Sequence, residues 1–235
     1  MPRPTNREIE QYYFGLFRSH YALPAGRIEY KDKPDVILHG ERRLGIEIAN
    51  LYIADGGDPS SEQIQRRRRK EVVARAQSLH RQAGGRGIEL WATFDLGCPI
   101  YDTEPLARKL VEIAMRVENS PGQVSPLTFV HVPELLVLYH SGKEHEDAEW
   151  RDNSGHAVPL LSVDRVRELV AGKSAKVSGY KGCDAYWLLL VVDFMDPAQD
   201  QYIEWPDGVT LARSPFERIL IYKPQFGKVV EALQV

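Results

Sequence analysis

KDKPDVILHGERRLGIEIANL, residues 31–51, is the stretch on which the fold turns. His39-Gly40-Glu41-Arg42 is a turn-forming tetrad between two runs, 27–38 and 43–53, that are rich in Val, Ile and Leu, so the stretch reads as a β-hairpin. Pro34-Asp35 falls on its first strand and Glu47 on its second, and Val36, Ile37, Leu44, Ile46 and Ile48 between them are apolar. Two carboxylates converging across a buried hairpin suit a divalent cation. Mg²⁺ takes oxygen ligands, often one or two carboxylates with retained waters, and Mn²⁺ can substitute; such an ion activates water and neutralises charge on a phosphate. The plainer alternative has Asp35 and Glu47 facing solvent opposite a basic residue such as Arg43.

Outward from the hairpin, the chain alternates helices and strands. Thr5 or Asn6 caps a helix through about residue 20, with Ile9, Tyr12, Tyr13, Leu16 and Phe17 at helical spacing. A loop at 55–61 precedes a helix that Gly84, Gly85 and Gly87 end, and 88–96 reads as a third strand. An amphipathic helix is expected over 102–119, a strand over 135–139 and a helix over 162–171. YWLLLVVDF, residues 186–194, has the near-continuous apolar character of a strand buried on both faces and ends with an acid at Asp193. Residues 216–222 suit either a helix or a strand. This order predicts an α/β protein with a mixed central sheet flanked by helices.

Helix, hairpin with Pro34-Asp35 and Glu47-Ile48-Ala49, helix and strand together resemble the PD-(D/E)XK superfamily of restriction-endonuclease-like nucleases. The resemblance covers roughly residues 6–96. It implies one α/β domain over 1–235, with a nuclease-like core at about 6–96 and a C-terminal elaboration at about 97–235. It also implies metal ligation by Asp35, Glu47 and the backbone carbonyl of Ile48, with Glu10 of the opening helix as an assisting acid and Glu8 as second choice. The chain departs from the family at Ala49, where a lysine would orient the attacking water and stabilise developing charge. The superfamily tolerates replacement or migration of that residue. Gln65, Arg66, Arg69, Lys70, Lys31 and Lys33 are candidates, with Gln65 or Arg69 named first. The function implied is metal-dependent hydrolysis of phosphodiester bonds, in DNA in preference to RNA. The alternative is a catalytically degenerate nuclease fold that binds nucleic acid or protein without cutting.

Arg66-Arg67-Arg68-Arg69-Lys70 is the strongest charge feature. Like charges at i,i+4 cost a helix a few tenths of a kcal/mol per pair, roughly, so a compensating anion is expected, and a nucleic-acid backbone against Arg66, Arg69 and Lys70 would supply it. The alternative is a solvated face balanced by Glu62 and Glu71. Lys173, Lys176, Tyr180 and Lys181 form a second basic and aromatic cluster, in which Lys173 and Lys176 are expected nucleic-acid contacts; the alternative is a linker whose lysines are simply exposed.

The whole-chain numbers narrow the classes further. The 235 residues carry 30 Lys+Arg against 33 Asp+Glu, a formal charge of -3, so any polyanion must be held by a local patch. Cys98 and Cys183 make neither a disulfide scaffold nor a zinc finger, and with no apolar signal run in residues 1–20 a cytoplasmic location is expected, without membrane insertion. The seven histidines include no His-x-x-x-His pair, which disfavours a zinc hydrolase. Walker, Rossmann and nucleophile-elbow patterns are absent. A homodimer would suit an enzyme that cuts both strands of a duplex.

Overall fold

A computed structural model describes residues 5–235 except 55, 157 and 181. In chain order the elements are α1 (Asn6–His20), β1 (Arg27–Tyr30), β2 (Val36–His39), β3 (Arg43–Asn50), α2 (Glu62–Gln82), β4 (Ile88–Phe94), α3 (Thr103–Ala114), β5 (Gly122–Gln123), β6 (Leu135–Glu144), β7 (Trp150–Asp152), α4 (Val163–Val177), β8 (Ala185–Val191), β9 (Arg218–Lys223) and β10 (Lys228–Glu231). They form two compact units, one of residues 1–54 with 158–235, the other of residues 55–157. Both are mixed α/β, as the alternating pattern predicted. None of the described helices is long and apolar enough to cross a membrane.

The first unit is built on a six-stranded sheet of order β1-β2-β3-β8-β9-β10. β3, β8 and β9 run parallel at its centre, and antiparallel strands complete both sides. Parallel strands covered on both faces need nearly continuous apolar sequence, and Trp187 to Val191 of β8 are all buried. On one face α1 packs Tyr13, Phe14 and Phe17 against Val36, Leu44, Ile46 and Ile48. Its start is fixed by a capping box in which Thr5 accepts from the Glu8 amide and the Glu8 carboxylate accepts from the Thr5 amide. On the other face α4, capped by Ser162, sets Val166, Val170 and Val177 against Leu188, Leu190 and Ile219.

Gly45 lets β3 run close to its neighbours. A Cβ there would lie 2.7 Å from Pro34 Cγ and 2.8 Å from Tyr186 Cδ1, and Pro34 immediately precedes Asp35. Gly45→Ala is therefore expected to displace Pro34 and lower stability by about 1–3 kcal/mol, the usual range for overpacking. Thermal unfolding would check this, and an unchanged midpoint would show that the neighbours yield freely.

In the second unit the sheet order is β5-β6-β4-β7. β4 alternates buried and half-buried residues, and its buried side chains pack against α2 and α3 through Val72, Ala76, Leu106 and Leu110. The expected core at 6–96 is thus corrected. Residues 88–94 are a strand as predicted, but they pair with β6 and β7 rather than with the hairpin, whose parallel partner is β8. The stretch 97–235, expected as one elaboration, supplies part of the second unit and half of the first unit's sheet. Strand character follows from local pattern, whereas the choice of partner depends on which apolar faces meet.

Four local expectations also shift. The strand expected over 27–38 divides into β1 and β2, which pair antiparallel, so Pro34-Asp35 lies in the turn just before β2 rather than on a strand. The helix expected over 102–119 stops at Ala114, that over 162–171 runs on to Val177, and residues 216–222 resolve into β9. Gly172 suggests an end to α4, yet a Cβ there would meet open space and the apolar stripe continues past it. Asp55 and Lys181, which entered the expectations for the loop and the basic cluster, lie outside the described residues.

Candidate active site

The hairpin register sets the first two side chains of the site. Val36 pairs with Ile46, so the next rung outward places Asp35 opposite Glu47. Ile46 and Ile48 go into the α1 face of the sheet, and side chains alternate along a strand, so Glu47 turns to the α4 face with Leu188, its neighbour in register. Asp35 and Glu47 are only 8% and 7% exposed. The alternative of solvent-facing carboxylates opposite Arg43 is therefore wrong.

Asp35 accepts a hydrogen bond from the Ile48 amide at 2.6 Å, which ties it to the second strand. Burial, and after it the charge of Glu47, push its pKa up to about 7, and the Ile48 amide offsets only part of this. Glu10 approaches from α1, and its pKa is also raised, by burial first and the Glu47 charge second. All three expected acids belong to one electrostatic cluster. Tyr180, just after α4, has its pKa raised by burial and by the Glu47 carboxylate that its hydroxyl faces.

Lys173 brings a cation to the acidic pair, which Ala49 does not. Its Nζ donates to Glu47 Oε1 at 2.8 Å, from the sheet-facing stripe of α4 that also carries Val166, Val170 and Val177. The sequence puts Lys173 in a basic and aromatic cluster beyond the end of the helix, as a nucleic-acid contact, whereas the structure sets it on α4 against the acidic pair. A lysine in register with an otherwise apolar helical stripe was the available signal, and ending that helix at 171 hides it.

No family model, no curated protein and no solved structure matches this chain.

The donor set fits a small hard cation. Glu47 Oε2 is buried and has no hydrogen-bond partner, an expensive state for a carboxylate oxygen that a cation would relieve. Two buried carboxylates close enough to raise a pKa ask for the same thing. Among the described residues no three His, Cys, Asp or Glu side chains are gathered as a metal cluster. The ligands available are therefore Asp35, Glu47, the Ile48 carbonyl and water, a small protein set of the kind Mg²⁺ accepts.

The α2 residues have other roles. Gln65 donates to the Pro59 and Ile100 carbonyls and accepts from the Ile100 amide at 2.7 Å, so its amide is fully used in tying loops of the second unit. Arg69 is buried and bridges Glu62 to Asp152, the latter at 3.2 Å. It clamps α2 to β7 and is not displayed to a polyanion. Arg67 pairs with Glu71, so balance by Glu62 and Glu71 is what the structure builds for these two arginines. Lys70 and Lys176 are exposed, and Arg66 is half-buried. Asp193 accepts from the Tyr13 hydroxyl at 2.7 Å and from Gln225, a structural tie between α1 and the end of β8.

Removing Arg69 leaves two carboxylates facing each other in a poorly hydrated place. Arg69→Ala is expected to destabilise the protein by about 3 kcal/mol or more, the usual cost of breaking a buried ion pair from one side. Nucleic-acid affinity measured below the melting temperature should stay as in the wild type, and a drop in affinity without a drop in stability would reverse this assignment.

Proposed function

We propose that this chain is a metal-dependent nuclease with a restriction-endonuclease-like core, hydrolysing phosphodiester bonds in DNA in preference to RNA. The observation that carries the reading is the approach of Lys173 to Glu47 beside Asp35. A buried carboxylate pair on a hairpin with a lysine against it is the set of groups expected of such a centre, and only the lysine's place in the chain differs. The order α1, β1, β2, β3, α4, β8 within one unit, with Asp35 leading into β2 and Glu47 on β3, supports the same reading.

Asp35, Glu47 and the Ile48 carbonyl would hold Mg²⁺ or Mn²⁺. When bound, the ion would lower the pKa of a water and neutralise charge on the phosphate. The protein's own groups do the rest. The Ile48 amide fixes the Asp35 carboxylate, and the Lys173 ammonium anchors one oxygen of Glu47. Lys173 also brings a positive charge to the place where negative charge grows on the phosphate, and a charge already in position needs no reorganisation in the transition state. Glu10 adds negative potential that favours cation uptake.

The test is cleavage of labelled single-stranded and double-stranded DNA and RNA by the wild-type chain in Mg²⁺, in Mn²⁺ and in a chelator. Cleavage that needs the metal and is fastest on DNA is expected. Nucleic acid bound but never cut in either metal would overturn the hydrolase and support the binding module.

A further inference from the structure

Asp35, Glu47 and Lys173 would act at one phosphate, and a nuclease must also hold the chain on either side of it. A cleft of about 850 Å³ in the first unit is lined by Arg7, Glu10, Tyr30, Lys31, Asp32 and Lys33. Glu10 is the link to the acidic pair, since it lines the cleft and also feels the charges of Glu47 and Lys173. The segment that carries Lys31 and Lys33 leads directly into Asp35, and its ends are tied by the Lys31 amide donating to the Asp35 carbonyl at 2.8 Å. The backbone that carries these cations is therefore held at a set place relative to Asp35.

Their charges are largely uncommitted. Lys33 makes no hydrogen bond or ion pair among the described residues. The Arg7 guanidinium has one long bond of 3.4 Å, to the Tyr30 carbonyl. Lys31 pairs with Glu29 at 3.1 Å, but Lys31 is exposed and Glu29 is also held by His39 at 2.6 Å, so the pair gives up Lys31 at little cost. The first turn of α1 is already closed by the Thr5 and Glu8 capping box, so side chains rather than helix amides supply the positive charge. Tyr30 lines the same wall half-buried, its ring packed on the α1-side core and T-shaped to Phe14.

We propose that this cleft receives the phosphodiester backbone of a single nucleic-acid strand, with Arg7, Lys31 and Lys33 against the phosphates next to the one hydrolysed. The assignment rests on the nuclease reading of Asp35 and Glu47. It also moves the strand-holding role from the arginine run of α2, where Arg69 is buried, to the wall that adjoins Asp35.

The experiment measures anisotropy of a labelled oligo-dT strand and of a labelled hairpin duplex between 50 and 200 mM salt, roughly the range over which phosphate contacts show their salt dependence. The wild type is compared with Arg7→Ala/Lys31→Ala/Lys33→Ala and with Lys33→Glu, each checked by thermal unfolding, and cleavage is followed in parallel. Each lost contact to a single strand lowers the slope of log affinity against log salt by about 0.7, so the triple variant should lose about 2. Its kcat/KM on the strand should fall in proportion to affinity while metal dependence persists. A folded triple variant with the wild-type slope, beside a wild type that cleaves, overturns the cleft and leaves the nuclease reading standing. A wild type that binds with a slope the triple variant loses, yet cuts nothing in Mg²⁺ or Mn²⁺, supports the cleft as a strand-binding site and overturns the nuclease reading. The same loss of slope on a duplex bound as tightly as the strand overturns the single-strand assignment, and no binding by the wild type overturns both.

Discussion

Cleavage should fall by at least about 10³-fold in Glu47→Ala and in Asp35→Asn, because each removes a ligand from a cation that contributes several kcal/mol to charge stabilisation, and about 1.4 kcal/mol is tenfold in rate. Rates in saturating Mg²⁺ and Mn²⁺ would check it, and wild-type rates in either variant would end the assignment. Folding provides an independent readout. The fold raises the Asp35 pKa to about 7, against about 3.9 for an unperturbed aspartate. The folded state therefore holds a proton that the unfolded state has released. This contribution to stability is fully present below about pH 4 and is lost as pH rises through 7. The amide introduced by Asp35→Asn carries no charge at any pH. Without metal, Asp35→Asn should equal the wild type near pH 4 and exceed it above pH 7, by on the order of 2–4 kcal/mol. Adding Mg²⁺ should raise the wild-type melting temperature and leave the variant's unchanged, since a ligand stabilises only the state that binds it.

Lys173→Ala should lower kcat by about 10²–10³-fold, the range seen when one preorganised donor is lost from a charged transition state. Metal affinity should not fall with it. Lys173 is the partner of Glu47 Oε1, and once it is gone that oxygen is free for the cation while Tyr180 still faces the carboxylate, so metal binds as tightly as before or more tightly. A variant that loses rate because it loses metal would make Lys173 a structural counter-ion. The substitution also leaves a buried carboxylate unpaired, so the metal-free variant should melt below the wild type and recover part of the difference in Mg²⁺. Lys173→Arg keeps the charge but changes its shape and reach, and only partial recovery is expected.

Much of the first unit could be read from local pattern. Thr5 and Glu8 mark the start of α1, Tyr13 and Phe17 mark its buried side, and the tetrad at 39–42 marks the hairpin. Asp35 and Glu47 stand opposite each other because a hairpin's register follows from its turn. Lys173 could not be placed this way. It lies 126 residues from Glu47, with the whole second unit between them in the chain, and the helix that carries it was expected only as far as Ala171. The arginine run misled for a related reason. Five successive basic residues announce charge, but whether Arg69 meets water or the carboxylates of Glu62 and Asp152 depends on where α2 packs.

The sequence by itself determined the mixed α/β class, most of the strands and helices, and the two carboxylates facing each other across the hairpin. These depend on side-chain periodicity and turn chemistry within a few residues. Tertiary structure alone decided that β8 rather than β4 lies beside β3, that Arg69 is a buried clamp, and that a lysine from α4 meets Glu47. Those outcomes depend on which apolar faces bury each other and on which charges must then be paired once water is excluded, and no short window of sequence carries that information.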